Sequence, residues 1–254
     1  MDTLLKVITL LPWIDWLAVA LFFAGWWGYA TWAKRHGQRR PSILASTNAW
    51  RRRWMLQATH RENRIVDSAV TQSLSASPSF FASTSILIIG GLLAALGGSE
   101  KASELVHELP FAARTSTLVF DLKLALLAAI FVFAFFRFTW SIRQYSFGAI
   151  MVGAAPEARE FTTDAQRQAF ADRAGRVMGL AAETFNDGLR AYYLSFAAVG
   201  WFFSAWAFIA GTAAVIWVLY RREFHSEVLG ALRDGLALQA GDAPPPGERG
   251  GDPR

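Results

Sequence analysis

The sequence predicts an all-α integral membrane protein: a four-helix bundle with amphipathic helices on its cytoplasmic side. Hydrophobic residues make up 53% of the 254 residues, the mean hydropathy is +0.25, and the apolar residues gather in four long runs. The runs cover residues 14–33, 79–97, 118–140 and 192–220. Because a spanning helix needs about 20 mostly apolar residues, each run predicts one span of a single membrane domain, residues 1–240.

The first run is bounded by aromatic residues, which favour the membrane–water interface. Trp13 and Trp16 begin it and Trp32 ends it. The apolar stretch continues past the small residues 18–20, so we expect an uncleaved first helix rather than a signal peptide. Asp15 is expected at the interface, in the first helical turn.

The second run is rich in small and hydroxyl-bearing residues. Ser77 is predicted to cap its helix, with Pro78 in the first turn, where a missing N–H has no cost. Small residues recur at a spacing of four, at Gly90, Ala94 and Gly98. This spacing predicts close helix packing, within the bundle or in a homo-oligomer. The alternative is a passage lined by the hydroxyl groups of Ser83 and Thr84.

The third run contains three charged residues, Asp121, Lys123 and Arg137. Asp121 and Arg137 are separated by about 24 Å at ~1.5 Å per residue, against a hydrocarbon thickness of about 30 Å. Either Asp121 and Lys123 begin the helix at the interface, where an acid suits the positive end of the helix dipole, or all three line a polar pathway.

The fourth run is predicted to be one span, with Tyr192, Tyr193 and Tyr220 at the interfaces. Just before it, the sequence Asn186-Asp187-Gly188 predicts a bend. Beyond it, we expect a short helix to about Ala240, and a disordered tail over residues 241–254, where proline and glycine are frequent.

The two inner loops, residues 34–78 and 141–191, predict amphipathic helices. In the first loop, a basic cluster lies beside two tryptophans: Trp50, Arg51, Arg52, Arg53 and Trp54. These residues suit either the anionic headgroups of membrane lipids or packing on the protein's own inner loops. In the second loop, Thr163 and Gln166 resemble a capping box, followed by an apolar stripe from Phe170 to Leu189.

The charge distribution predicts the orientation, because Lys and Arg favour cytoplasmic loops. The two inner loops hold 15 basic residues, against 8 in the segments predicted to be external. With four spans, both termini would lie outside the cytoplasm, in a cell inner membrane. Arg221 and Arg222 disagree with this topology, because they directly follow the fourth run on the side predicted to be external.

The sequence lacks the motifs and ligand spacings of common catalytic and metal sites. It contains no cysteine, and its four histidines are scattered without a ligand spacing. There is no Gly-rich phosphate loop, zinc-protease motif or nucleophile elbow. We therefore expect no enzyme, no cofactor, no metal and no nucleic-acid partner.

Four blocks carry a resemblance to a known family: residues 80–84, Trp140 with Arg143, residues 189–193 and residues 220–224. With them the chain, over about residues 10–235, resembles the domain-of-unknown-function 599 family of multi-pass membrane proteins. The resemblance implies several spanning helices and no established activity. Two functions stay open: a channel or transporter for a small ion or solute, and a non-catalytic scaffold or partner-binding subunit with a basic cytoplasmic surface.

Overall fold

The structure is a computed structural model that describes residues 11–37, 42–107 and 115–240. The chain is helical and has no β-strand in these ranges, so the all-α prediction is confirmed. The α-helices are α1 (Trp13–His36), α2 (Ile43–Ala58), α3 (Ile65–Gly97), α4 (Ser99–His107), α5 (Thr117–Gly153), α6 (Asp164–Gly200), α7 (Ala205–Phe224) and α8 (Glu227–Ala240). The predicted disordered tail lies outside the described residues.

Two of the described helices, α3 and α5, are long and apolar enough to cross a membrane. The most apolar 18-residue window of α3 is only 11% buried, and Phe80, Leu87 and Leu93 on this helix are exposed. A soluble protein rarely leaves so large an apolar surface in water. The combination indicates a membrane protein.

The helices pack around α5, which contacts both α3 and α6. α6 in turn contacts α2 and α7, and α7 contacts α1. The larger hydrophobic core includes Phe22, Phe138 and Phe208. A second, smaller core contains Met55 of α2 and Met178 of α6. We call the end of the bundle that carries α2 and α8 the α2 end.

The helix that contains the second predicted span begins much earlier than expected. α3 starts at Ile65 and continues through Pro78, so the predicted helix cap at Ser77 is wrong. Proline cannot donate the backbone hydrogen bond to the carbonyl four residues before it. Pro78 is nevertheless fully buried, on a helix that packs along α5. Tertiary packing therefore outweighs the local preference of proline for a helix start.

The fourth predicted span is two helices rather than one. α6 ends at Gly200, and α7 begins after Ser204, whose Oγ accepts a hydrogen bond from the Ala207 amide at 3.0 Å. A Cβ at Gly200 would lie 3.1 Å from the Ala207 carbonyl oxygen, which shows how closely the chain turns back. The single helix predicted over 192–220 is therefore wrong, and the predicted four-helix bundle is not confirmed. A continuous apolar run indicates apolar surroundings, but it does not show where the backbone reverses.

The reversal brings the C-terminal helices back to the α2 end. The Leu44 amide of α2 donates to Glu223 Oε1 at 3.1 Å, and Trp50 Nε1 donates to the Leu232 carbonyl oxygen at 3.0 Å. The prediction that the first loop and the C-terminal segment lie on opposite sides is thus wrong. The opposite end of the bundle, where Asp15 contacts Trp201, is called the Trp201 end below.

The inner loops form helices, as predicted. α2 and the start of α3 together occupy most of the first loop. α6 starts at the predicted cap, where the Gln166 amide donates to Thr163 Oγ1 at 3.3 Å. The helix expected up to about Ala240 is α8. Residues 186–188 do not break the helix, since α6 runs through them without interruption.

Candidate functional site

A cluster of charges surrounds Asp187 of α6, near the α2 end of the main core. Its carboxylate accepts hydrogen bonds from Lys34 Nζ at 3.0 Å, from Arg190 Nη1 at 3.0 Å and from Arg137 Nη2. The Asp187 side chain is 10% exposed and that of Arg190 is 9% exposed. Three cations from three helices therefore share one buried carboxylate, and the cluster retains an excess of positive charge.

Two of these cations also lie over aromatic rings. The Arg190 guanidinium lies 5.7 Å from the centre of the Tyr29 ring, and that of Arg137 lies 5.9 Å from the centre of the Phe133 ring. Such contacts between a cation and a ring face are attractive, by about 0.5–2 kcal/mol depending on solvation. The Arg137 Nε atom is buried without a hydrogen-bond partner among the described residues.

A cleft of about 540 Å³ lies next to this cluster, between the end of α1, α2 and α6. Three basic side chains line it, Lys34, Arg52 and Arg176, and Glu183 is the single acid among the lining residues that the structure describes. Lys34 belongs to both the cleft and the Asp187 cluster. The two features therefore form one positively charged region.

Two glycines on the α6 side of the cleft allow α2 to pack closely against α6. A Cβ at Gly175 would lie 2.8 Å from Arg52 Cα, and a Cβ at Gly179 would lie 2.9 Å from Asn48 Oδ1. A side chain at Gly175 would require α2 to move, because the contact is with its backbone, whereas one at Gly179 would displace the Asn48 side chain. The Gly175/Gly179 spacing of four residues is a signal for close helix approach that could have been found in the sequence.

A second polar site occupies the Trp201 end. Lys123 Nζ donates to the Trp201 carbonyl oxygen at 2.9 Å, and Trp201 Nε1 donates to Asp15 Oδ1 at 2.5 Å. Lys123 is 3% exposed, and its ammonium group also lies 5.5 Å from the centre of the Trp201 ring. The polar groups at the chain reversal thus satisfy one another inside the bundle.

The five residues predicted to line a polar pathway do not come together. Lys123 and Arg137 are separated by about 21 Å along α5 at ~1.5 Å per residue, and they belong to the two different clusters. Ser83 is exposed, and Thr84 Oγ1 donates to the Phe80 carbonyl of its own helix at 2.9 Å. Asp121 Oδ1 is buried and has no hydrogen-bond partner in the described part of the chain.

Most of the residues predicted to contact anionic lipids make internal contacts. Trp50 donates to Leu232 of α8, and Trp54 Nε1 donates to Asp67 Oδ1 at 2.7 Å. Arg51 donates to Asn48 Oδ1 at 2.9 Å, and its burial lowers its pKa from the usual range. Arg53 is partly exposed, and Arg52 is exposed in the cleft. Contact with lipids stays a prediction, best placed at Arg52.

The sequence reasoning missed Lys34, Arg176, Asp187 and Arg190 as site residues. Asp187 and Arg190 are three residues apart on a helical pattern, which suggests a local ion pair. Their association with Lys34 and Arg137 joins residues far apart in the sequence, so no local pattern contains it.

Fold and sites together describe an all-helical membrane protein with polar clusters at both ends of an apolar bundle. The chain belongs to the family described as protein of unknown function, DUF599, which matches residues 17–228. The family resemblance seen in the sequence is thereby confirmed. Neither a curated protein nor a solved structure matches the chain.

Proposed function

We propose that this protein is a multi-pass inner-membrane scaffold, without catalytic activity, whose basic α2 end binds anionic partners at the cytoplasmic face. The observation that carries this proposal is the packing between the two polar clusters. Along α5, the side chains between Lys123 and Arg137 that are buried in the core are apolar: Leu124, Leu127, Ala128, Ile130, Phe131 and Ala134. A conduit would need a polar or hydrated route along this axis.

The proposed membrane path has five spans: α1, α3, α5, α6 and α7. In this arrangement α2, α8 and those ends of the long helices that lie at the α2 end are in the cytoplasm, and α4 is outside. Arg221 and Arg222 lie in the last turn of α7, at the α2 end. They therefore join the cytoplasmic basic residues and no longer disagree with the charge rule. Because the chain reverses after Gly200, the basic residues of α2 and of α7 lie at the same end. This supports the placement of the first loop in the cytoplasm.

Cysteine labelling tests this path, since the chain contains no cysteine of its own. We choose three exposed positions: Glu62 between α2 and α3, Glu100 on α4 and Asp234 on α8. A membrane-impermeant maleimide added to intact cells should label Glu100→Cys, and should label Glu62→Cys and Asp234→Cys only after lysis. Labelling of Asp234→Cys in intact cells would contradict the five-span path.

A conduit is the second candidate, and one observation favours it. Asp121 Oδ1 is buried without a partner among the described residues, and an unsatisfied carboxylate inside a membrane often marks an ion or proton route. The partner-binding proposal instead assigns Asp121 to the helix start near the Trp201 end, without transport.

Flux measurements distinguish the two candidates. Liposomes containing the protein should pass protons, potassium and chloride no faster than protein-free liposomes, and Asp121→Asn should change nothing. Asp172→Asn is the control, because it removes a carboxylate that is exposed on α6. A wild-type flux that Asp121→Asn abolishes and Asp172→Asn preserves would overturn the scaffold proposal.

The predicted homo-oligomer remains part of the proposal. A Cβ at Gly90, Gly91 or Gly97 would meet nothing within 4 Å among the described residues. The small-residue face of α3 is therefore free to contact lipid or a second copy of the chain.

A further inference from the structure

We propose that the cleft between α1, α2 and α6 binds the phosphate group of an anionic phospholipid of the cytoplasmic leaflet. This inference deepens the proposed function, because it rests on the α2 end facing the cytoplasm and names the anionic partner of that end. The proposed ligand occupies a cleft of defined volume, whereas a basic loop would attract a membrane surface without a specific site.

The charge of the cleft fits a phosphate group. Arg52 and Arg176 are exposed and have no ion pair in the described part of the chain. Lys34 is paired with Asp187, but Arg137 and Arg190 share that carboxylate, so the Lys34 charge is only partly neutralised. Guanidinium and ammonium groups are the donors that phosphate oxygens prefer in proteins.

The shape of the cleft fits a headgroup. Its volume of about 540 Å³ lies within the ~300–1,000 Å³ typical of small-molecule sites. Gly175 and Gly179 form part of the wall, and they let α2 pack closely enough against α6 to bring Arg52 and Asn48 to the cleft. The Asn48 amide, held by Arg51 at 2.9 Å, adds a polar group to the same wall.

The position of the cleft favours a lipid over a soluble phosphate compound. It lies at the end of α1, where an aromatic residue is followed by basic ones, Trp32 and then Lys34 and Arg35, as expected at a cytoplasmic interface. Leu44 and Leu180 also line it, and Leu180 is exposed. A ligand with a charged phosphate and an apolar body would match both parts of this lining.

The test is a lipid titration of the full-length protein in a neutral detergent. Phosphatidylglycerol should raise the unfolding temperature, because a ligand that binds only the folded state stabilises it, whereas phosphatidylcholine should have a much smaller effect. In Arg52→Gln/Arg176→Gln, the apparent Kd for phosphatidylglycerol should increase about 25-fold, from about fivefold for each arginine, since one basic side chain near an anionic lipid contributes ~1 kcal/mol.

Two further variants separate the cleft from general surface charge. Arg173→Gln/Arg233→Gln removes the same number of exposed charges outside the cleft lining and should keep the wild-type Kd. Glu183→Gln removes the acid that lines the same cleft and should tighten binding about fivefold. This opposite change cannot come from a loss of folding.

Equal weakening in the two double variants, or no change in any variant, would overturn the cleft site. A stabilisation by inorganic phosphate alone that follows the same variant pattern, with phosphatidylglycerol adding nothing, would overturn the lipid assignment. These outcomes are independent of the cysteine labelling. A failed lipid titration with the expected labelling rejects this site alone, whereas unexpected labelling rejects the membrane path.

Discussion

Asp187→Asn is expected to lower the free energy of unfolding by about 3–5 kcal/mol, the usual cost of removing one partner from a buried ion pair. Asparagine keeps the size of the side chain but not its charge. Lys34, Arg137 and Arg190 would then lie around a neutral amide and repel one another. Of the three, Arg190 is the most deeply buried, with 9% of its side chain exposed, so its unpaired charge should dominate the loss. Denaturant titration in mixed micelles would measure it.

The control for this prediction is Asp234→Asn, which neutralises an exposed carboxylate on α8 and should change the free energy of unfolding by no more than ~0.5 kcal/mol. The double variant Asp187→Asn/Arg190→Gln should recover part of the loss, because it removes the cation that suffers most. If Asp187→Asn is no more harmful than Asp234→Asn, the carboxylate is not the electrostatic centre of the cluster.

The Asp187 cluster shows how far the sequence could predict the site. The charges of α5 were visible because each interrupts an apolar run, and Lys123 and Arg137 are indeed in polar clusters. Their partners were not visible. Arg137 pairs with a residue 50 positions away, and Lys34 with one 153 positions away. Such contacts depend on which helices are neighbours, and that information is not local.

The fold shows a similar division. Hydrophobic periodicity predicted α2 and the first half of α6, because an amphipathic face requires a fixed spacing of apolar residues. The error at the turn after Gly200 lies inside the continuous apolar run 192–220, and the error at Pro78 lies at the start of the run 79–97. There the sequence reports the apolar surroundings and not the path of the backbone. Arg221 and Arg222 were the clue to the missed reversal, since they conflict with a single span.

Phe138→Ala is expected to destabilise the protein by about 3–5 kcal/mol, the usual cost of truncating a fully buried phenylalanine. Phe138 of α5 has no exposed surface. Its ring centre lies 5.4 Å from that of Phe81, 5.6 Å from that of Phe185 and 5.5 Å from that of Tyr192. This ring therefore joins α3, α5 and α6 at the centre of the main core, and a truncation would leave a cavity that three helices line. Thermal or denaturant unfolding in detergent would measure the loss.

Gly188→Ala combined with Phe138→Ala tests whether this packing is specific. A Cβ at Gly188 would lie 2.5 Å from Phe138 Cε1, so Gly188→Ala alone should cost about 1–3 kcal/mol through overpacking. In the double variant, the new methyl group enters space that the ring has left. The double variant should therefore lose less free energy of unfolding than the sum of the two single losses, by on the order of 1 kcal/mol.

Phe208, which is also fully buried but on α7, provides the control. The free-energy losses of Phe208→Ala and Gly188→Ala should add without coupling. Coupling of equal size in both cycles would mean that the core responds as a whole, and that α5 and α6 are not held in register by the contact between Gly188 and Phe138.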